Sequence, residues 1–256
     1  MSDPAHDVEV KLDRAIEHLR ELEAESTVFY QADPQPVSVE PEPHGLYYVL
    51  RQRLIREPPY SRWAVLIGDA VHNARCALDY VAWQLAERNA PMRTKPDRLT
   101  LFPLFGDEVH YRTVGVRRLR HVGDDARTLI ESLQPYNRPD PAADPLLWLE
   151  DLDVTDKHKC LVLVGFTVEP LRFFAWSRGG RRIAPVAMHP PGPVNDSAAL
   201  VRFILPPNSQ VKMEGRVTYE VRFGKGPCQG REPVAALSEI LVRVEGVIDL
   251  FRPYLA

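Results

Sequence analysis

Lysine is scarce in this chain. Only Lys11, Lys95, Lys157, Lys159, Lys212 and Lys225 appear among 32 basic residues, so arginine carries nearly all the positive charge. Together with 24 prolines this is the profile of a GC-rich bacterial coding bias rather than of a function. An excess of positive charge is also missing. The net charge of −3 excludes a general attraction to nucleic acid or to an anionic membrane, and leaves room only for a local basic patch. The three cysteines, Cys76, Cys160 and Cys228, are far apart, form no Cys-x-x-Cys pair and are odd in number, which excludes a complete disulfide framework and favours a reducing compartment. No apolar run approaches the roughly 18–20 residues needed to span a bilayer. The opening "MSDPAHDVEV" lacks the character of a signal peptide, so a cytoplasmic protein with no membrane partner is expected. There is no Gly-x-x-x-x-Gly-Lys-Ser/Thr phosphate loop and no Gly-x-Ser-x-Gly elbow.

The chain has ordinary globular texture, with 45% apolar and 26% charged residues over 256 positions. Residues 5–26 set Val8, Leu12, Ile16, Leu19 and Leu22 on one stripe of an amphipathic helix, which "DPQPVSVEPEP" breaks. "HGLYYVLRQRLIREPP" alternates Tyr48, Leu50 and Leu54 with Arg51, Arg53 and Arg56, which favours an edge strand ended by Pro58 and Pro59. A long helix runs from about Ser61, its expected N-cap, to Arg88. A loop through "FPLF" follows. A third helix starts at Asp124 or Asp125, and a short fourth one at Pro145. After "TDKHK" come short β-rich segments, "CLVLVGFTVEP", "LRFFAWS", "RRIAPVAM", "ALVRFILPP" and "GRVTYEVRFG", which read as a small antiparallel sheet. "RGGRR", Arg178 to Arg182, is a basic tip that reads as a hairpin turn, with Gly179 and Gly180 supplying positive φ. Residues 232–256 return to a helical period through Val234, Leu237, Ile240, Leu241, Val244, Val247, Ile248 and Phe251. The expected class is α+β: a bundle of four or five helices with a small antiparallel sheet inserted before the C-terminal helix. It forms a single domain over 1–256, mainly helical over 1–159, β-rich over 160–231, and closed by the helix 232–256.

The long helix poses the main question. Ile67, Ala70, Ala74, Leu78, Val81 and Leu85 fall on one face. Asp69, His72, Asn73, Arg75 and Asp79 fall on the other, with Arg75 at its margin, beside Val65, Cys76 and Trp83. A solvated helix face usually carries Lys and Glu, which this one lacks. A half-buried face with paired polar groups is the stronger expectation, as a structural network or as a functional site. A second cluster, Asp153, Asp156, Lys157 and His158 in "LDVTDKHKC", is either a charged turn after the fourth helix or the completion of that site. The two clusters should touch, because polar groups beside apolar ones need one another.

The segments "GDAVHNARCALDYVAWQLA", "LFPLF", "LQPYN" and "DKHK" carry a resemblance. They look like a widespread group of uncharacterised bacterial proteins whose pattern runs Gly-Asp-x-x-His-Asn-Leu-Arg-Ser-Ala-Leu-Asp-His, a Phe-Pro-Ile-type segment, Gln-Pro-Tyr and Asp-Lys-His-Arg. The match covers roughly residues 8–165. More distantly the chain resembles HEPN domains, helical bundles that include metal-independent ribonucleases. Their site is an Arg and, four to six residues on, a His, usually facing a dimer partner. Arg75 stands at the first position and Tyr80 at the second. The resemblance implies RNA or another phosphate-bearing ligand and a homodimer.

Three readings follow. As a ribonuclease, His72 or His158 would be the base, Arg75 would hold the phosphate, Lys157 would add charge, and Tyr80 would orient a group. As a metal-dependent hydrolase, Asp69 and His72 at i, i+3, with Asp79, Asp156 and His158, would offer an oxygen and nitrogen shell. As a binding protein, the same side chains would form a buried network fixing how the long helix meets Asp156 and His158. The sequence names no cofactor.

Overall fold

The computed structural model describes residues 4–32, 37–43, 47–53, 56–89, 96–167, 175–176, 180–190, 192–205 and 219–255. The fold is α+β, as expected. Its long helices are α1 (Pro4–Ala32), α2 (Tyr60–Asn89), α5 (Asp124–Ser132), α6 (Pro145–His158) and α7 (Pro233–Leu255). Between α2 and α5 lie two single turns, α3 (Glu108–His110) and α4 (Val116–Arg118), joined by a π-helical turn, Tyr111–Gly115. The strands are β1 (Val37–Pro41), β2 (Tyr47–Gln52), β3 (Leu163–Thr167), β4 (Ala175–Trp176), β5 (Arg182–Ile183), β6 (Ala187–Met188), β7 (Gly192–Pro193), β8 (Ala199–Ile204) and β9 (Tyr219–Phe223). No helix among the described residues is long and apolar enough to cross a membrane.

The chain folds into two compact units. The first is made of Met1–Glu25, Ser61–Val162 and Lys225–Ala256, the second of Ser26–Tyr60 and Leu163–Gly224. The β-rich part is thus larger than residues 160–231, because it recruits the segment between α1 and α2.

In the first unit α2 is the central helix. Trp63, Leu66, Ile67, Ala70, Val71, Ala74, Ala77, Leu78, Val81, Ala82, Leu85 and Ala86 are all buried. That set covers far more of the helix than the single stripe of a surface helix, so α2 packs on more than one side. Every residue of its expected apolar face is among them. On α7, Leu237, Ile240, Leu241, Val244, Val247, Ile248 and Phe251 are buried as their period required, and Phe102 meets Phe251 edge to face at 6.0 Å. The α1 stripe reads Val8, Leu12, Ala15, His18, Leu22, Ser26 and Phe29 when buried residues are followed to the end of the helix. α1 runs six residues past the expected end.

Two local expectations need correction. Ser61 is not an N-cap, since α2 already begins at Tyr60. α6 does not stop at Val154: it continues through Asp156, Lys157 and His158, so "TDKH" is its last turn, where a cation suits the helix dipole. α5 starts at Asp124 as expected, with Asp124 and Asp125 in its first turn and Gly123 as the cap.

In the second unit all strand pairings are antiparallel, in sheets ordered β1-β2-β8-β6, β7-β3-β9 and β4-β5. β2 is not an edge strand. It lies between β1 (Val39↔Leu50) and β8 (Tyr48↔Phe203), and the edge belongs to β1, inside the Pro-rich stretch read as a breaker. Pro41 ends β1, a position a strand tolerates. Leu50, Ala175, Leu200, Val201 and Phe203 form this unit's core. Tyr30 of α1 accepts a hydrogen bond from Val221 N at 2.9 Å. β4 and β5 form the expected hairpin, with Gly180 at φ +78°. Leu54, Arg178 and Gly179, which the sequence reading used, lie outside the described residues.

Candidate functional site

Arg75 is the one residue of the α2 polar face that is fully enclosed, at 4% exposure. Its Nε donates to Glu150 Oε2 of α6 at 2.9 Å, Nη1 to Asp79 Oδ1 at 2.7 Å, and Nη2 to the carbonyl of Phe102 at 2.7 Å. Asp79 Oδ1 also accepts from Phe102 N at 2.9 Å. The pair therefore ties α2 to α6 and to the "LFPLF" segment in one network. Burial holds the Asp79 carboxyl above the ordinary range, outweighing the attraction of Arg75 and the Phe102 N–H.

The same segment is held a second time. Gln134 of "LQPYN" is fully buried; its Oε1 accepts from Phe105 N at 3.1 Å, and its Nε2 donates to Pro103 O at 2.8 Å and Ile130 O at 3.0 Å. Each polar atom of the amide is thus used, as a buried amide demands. Gly68 completes the pattern. A Cβ there would stand 2.5 Å from Asp156 Oδ1, so the last turn of α6 lies directly over this position of α2. Three of the four segments quoted above, on α2, at "LFPLF" and at "LQPYN", thus exchange polar groups, and the fourth, "DKHK", lies against α2 through Asp156.

The other candidate residues are arranged differently. His72 is on the surface, with half its side chain exposed, and its Nδ1 is 3.5 Å from Asp153 Oδ1. Asp153 is buried and its Oδ2 accepts from Lys157 Nζ at 2.6 Å. Cys76 Sγ is 3.5 Å from His72 Nε2, and burial pushes this thiol up. α6 meets the polar face of α2 through Asp153 to His72, and Asp156 lies against Gly68, but among the described residues no hydrogen bond or ion pair joins Asp156, Lys157 or His158 to Asp69, His72, Asn73, Arg75 or Asp79. Asn73 Nδ2 donates to Asp69 O at 2.8 Å, and Asn73 Oδ1 accepts from Lys11 Nζ at 3.2 Å. Asp69 is exposed. The Asp156 carboxyl is held above its ordinary range by partial burial and by the nearby charges of Asp69 and Asp153. His158 is exposed and makes no hydrogen bond or ion pair among the described residues. Arg75 thus differs from the two histidines in hydrogen bonding as well as burial: its donors are spent inside the protein, while the histidines are exposed. Among the described residues no three His, Cys, Asp or Glu side chains are placed to hold a metal ion.

A cavity of about 630 Å³ opens in the first unit on the α1 side of α2. Lys11, Tyr80, Trp83, Gln84, Arg98 and Thr100 line it. Sequence reasoning gave Tyr80 a part in a ribonuclease site and missed Lys11, Gln84, Arg98 and Thr100. The one available signal was that Tyr80 and Trp83, two large aromatics at i, i+3, share an outward arc of α2.

No protein-family model, no curated protein and no solved structure shows a significant match to the chain.

Proposed function

We propose that this protein acts by binding, and that the Arg75 network is the architecture of the binder rather than its active site. The observation that carries this reading is the closure of the Arg75 guanidinium on Glu150, Asp79 and Phe102 O. A guanidinium that holds a substrate phosphate needs an open fork. This one is spent inside the protein, and releasing it would leave two carboxylates unpaired. In the remotely HEPN-like lineage that the sequence suggests, the Arg would have passed from chemistry to structure, in step with Tyr80 in place of the histidine. A cytoplasmic setting fits three unpaired cysteines, one of them, Cys160, exposed.

A second reading keeps catalysis but moves it. His72 is solvent-facing with the buried Asp153 beside its Nδ1 and Lys157 on the far oxygen of that carboxylate, an arrangement suited to orienting a base next to a cation. It would be a ribonuclease site without Arg75.

Cleavage of a mixed single-stranded RNA by wild type and by His72→Ala separates the two. The binding reading expects no cleavage above background by either protein. Cleavage by wild type that His72→Ala abolishes, in a variant that melts normally, would overturn it and establish the second reading.

A further inference from the structure

We propose that the cavity beside α2 is a site for a planar aromatic anion, a ring bearing a phosphate or carboxylate. The inference rests on the reading of the protein as a binder and names the chemistry of its ligand.

The volume, about 630 Å³, lies in the usual range of small-molecule sites, about 300–1,000 Å³. The aromatic part of its wall on α2 is Tyr80 and Trp83, one turn apart. Both are more than a third exposed, although burying either would remove a large apolar area from water. Two part-exposed rings on the lining of a cavity offer stacking faces to a flat ligand. Val10 of α1, also on the lining, is about half exposed and widens the apolar surface.

The lining carries two cations and two carboxylates, but they are not equally engaged. Lys11 and Arg98 are both present, and neither is paired with a carboxylate among the described residues. Lys11 donates only to the neutral amide of Asn73, and Arg98 is exposed and makes no hydrogen bond or ion pair there. The carboxylates that share the lining are already engaged. Asp79 is occupied by Arg75 and the Phe102 N–H, and Asp7 has an interaction of its own. Two available cations beside two available rings select a ligand with both features. Gln84 and Thr100 add neutral donors and acceptors that would read its polar edge.

The test is calorimetric titration of the full chain with adenosine 5′-monophosphate, with adenosine and ribose 5-phosphate as half-ligands, and with indole-3-acetate as an aromatic carboxylate. Trp83→Ala and Arg98→Gln are titrated in parallel after melting shows that they fold. The expected result is saturable binding of the monophosphate or of indole-3-acetate, weakened about tenfold by either substitution, with each half-ligand weaker by a similar factor, as loss of one stacking or charged contact requires. Which of the two binds identifies the anion as phosphate or carboxylate. Binding of neither, or binding that both variants retain unchanged, overturns the proposal. RNA cleavage lost in His72→Ala is the separate failure of the binding reading, and is scored on a different residue.

Discussion

Gly68 of α2 and Asp156 of α6 approach so closely that the missing side chain of one makes room for the carboxylate of the other. A Cβ on Gly68 would lie 2.5 Å from Asp156 Oδ1 and 2.6 Å from Cγ. Alanine would gain about 1 kcal/mol of helix propensity in mid-helix, but only if Asp156 moves aside. Asp156 is exposed and can rotate outward. Gly68→Ala should therefore be close to neutral in the wild-type chain and stabilising by about 1 kcal/mol in an Asp156→Ala background. Equal effects in both backgrounds, measured by denaturant unfolding, would show that the close approach carries no energy.

Asp156 also predicts a pH dependence. Its carboxyl titrates above the ordinary value of 3.8, chiefly through burial and then through Asp69 and Asp153. An acid whose pKa is raised by folding binds protons more tightly in the native state, so it stabilises the fold below 3.8 relative to neutral pH and loses that contribution as pH rises through the folded value. Asp156→Asn should accordingly raise the melting temperature at pH 7, and the gain should shrink to nothing in acid. A gain that does not vary with pH would point to packing instead of charge.

At the Arg75 network the order of variants is the informative quantity. Arg75→Ala strands Asp79 and Glu150 and should cost roughly 3 kcal/mol, in the range for breaking a largely buried ion pair. Asp79→Asn keeps an acceptor for Phe102 N and should cost less, about 1–2 kcal/mol. Asp79→Ala removes that acceptor too and should fall between Asp79→Asn and Arg75→Ala. Melting curves in which Arg75→Ala is as stable as wild type would remove the structural role assigned to it.

The three thiols should separate by reactivity. The thiolate is the reacting form, so burial and a raised pKa both slow alkylation. Cys160 is exposed, Cys76 is half-buried with its pKa raised, and Cys228 is buried and pushed up to about 12. Iodoacetamide at neutral pH, followed by peptide mass spectrometry, should modify Cys160 first, Cys76 more slowly, and Cys228 only on unfolding. Early labelling of Cys76 would mean that the neighbouring His72 activates it.

Local patterns made the long helices legible, because apolar residues at 3.6 spacing report one neighbour-facing surface wherever that neighbour comes from. Ile67 to Leu85 and Leu237 to Phe251 are read correctly for that reason. β2 was legible as a strand, but its central position was not, since nothing between Tyr47 and Gln52 encodes a partner that arrives from residues 199–204. β1 was hidden by the prolines around it. The turns at residues 108–118 carry no period long enough to detect. At the site, the helical wheel put Arg75 at the margin of the polar face and left its burial open. What decides it is Glu150 and Phe102, both supplied by tertiary structure. The cavity was half legible: its two aromatics share an arc of α2, while Lys11 and Arg98 join them only in space.

The position of β2 also governs the order in which this chain can be finished. β1 and β2 are made together, but β8 is synthesised only after α2 through α6, so one side of β2 has no partner on this chain until Ala199–Ile204 has emerged. The helical unit waits as well, because α7 joins it from residues 233–255. Both units are closed by segments distant in sequence, so the slow steps of loop closure are long-range in each. Through that interval the bare edge of β2 is a pairing surface for any other chain that meets it.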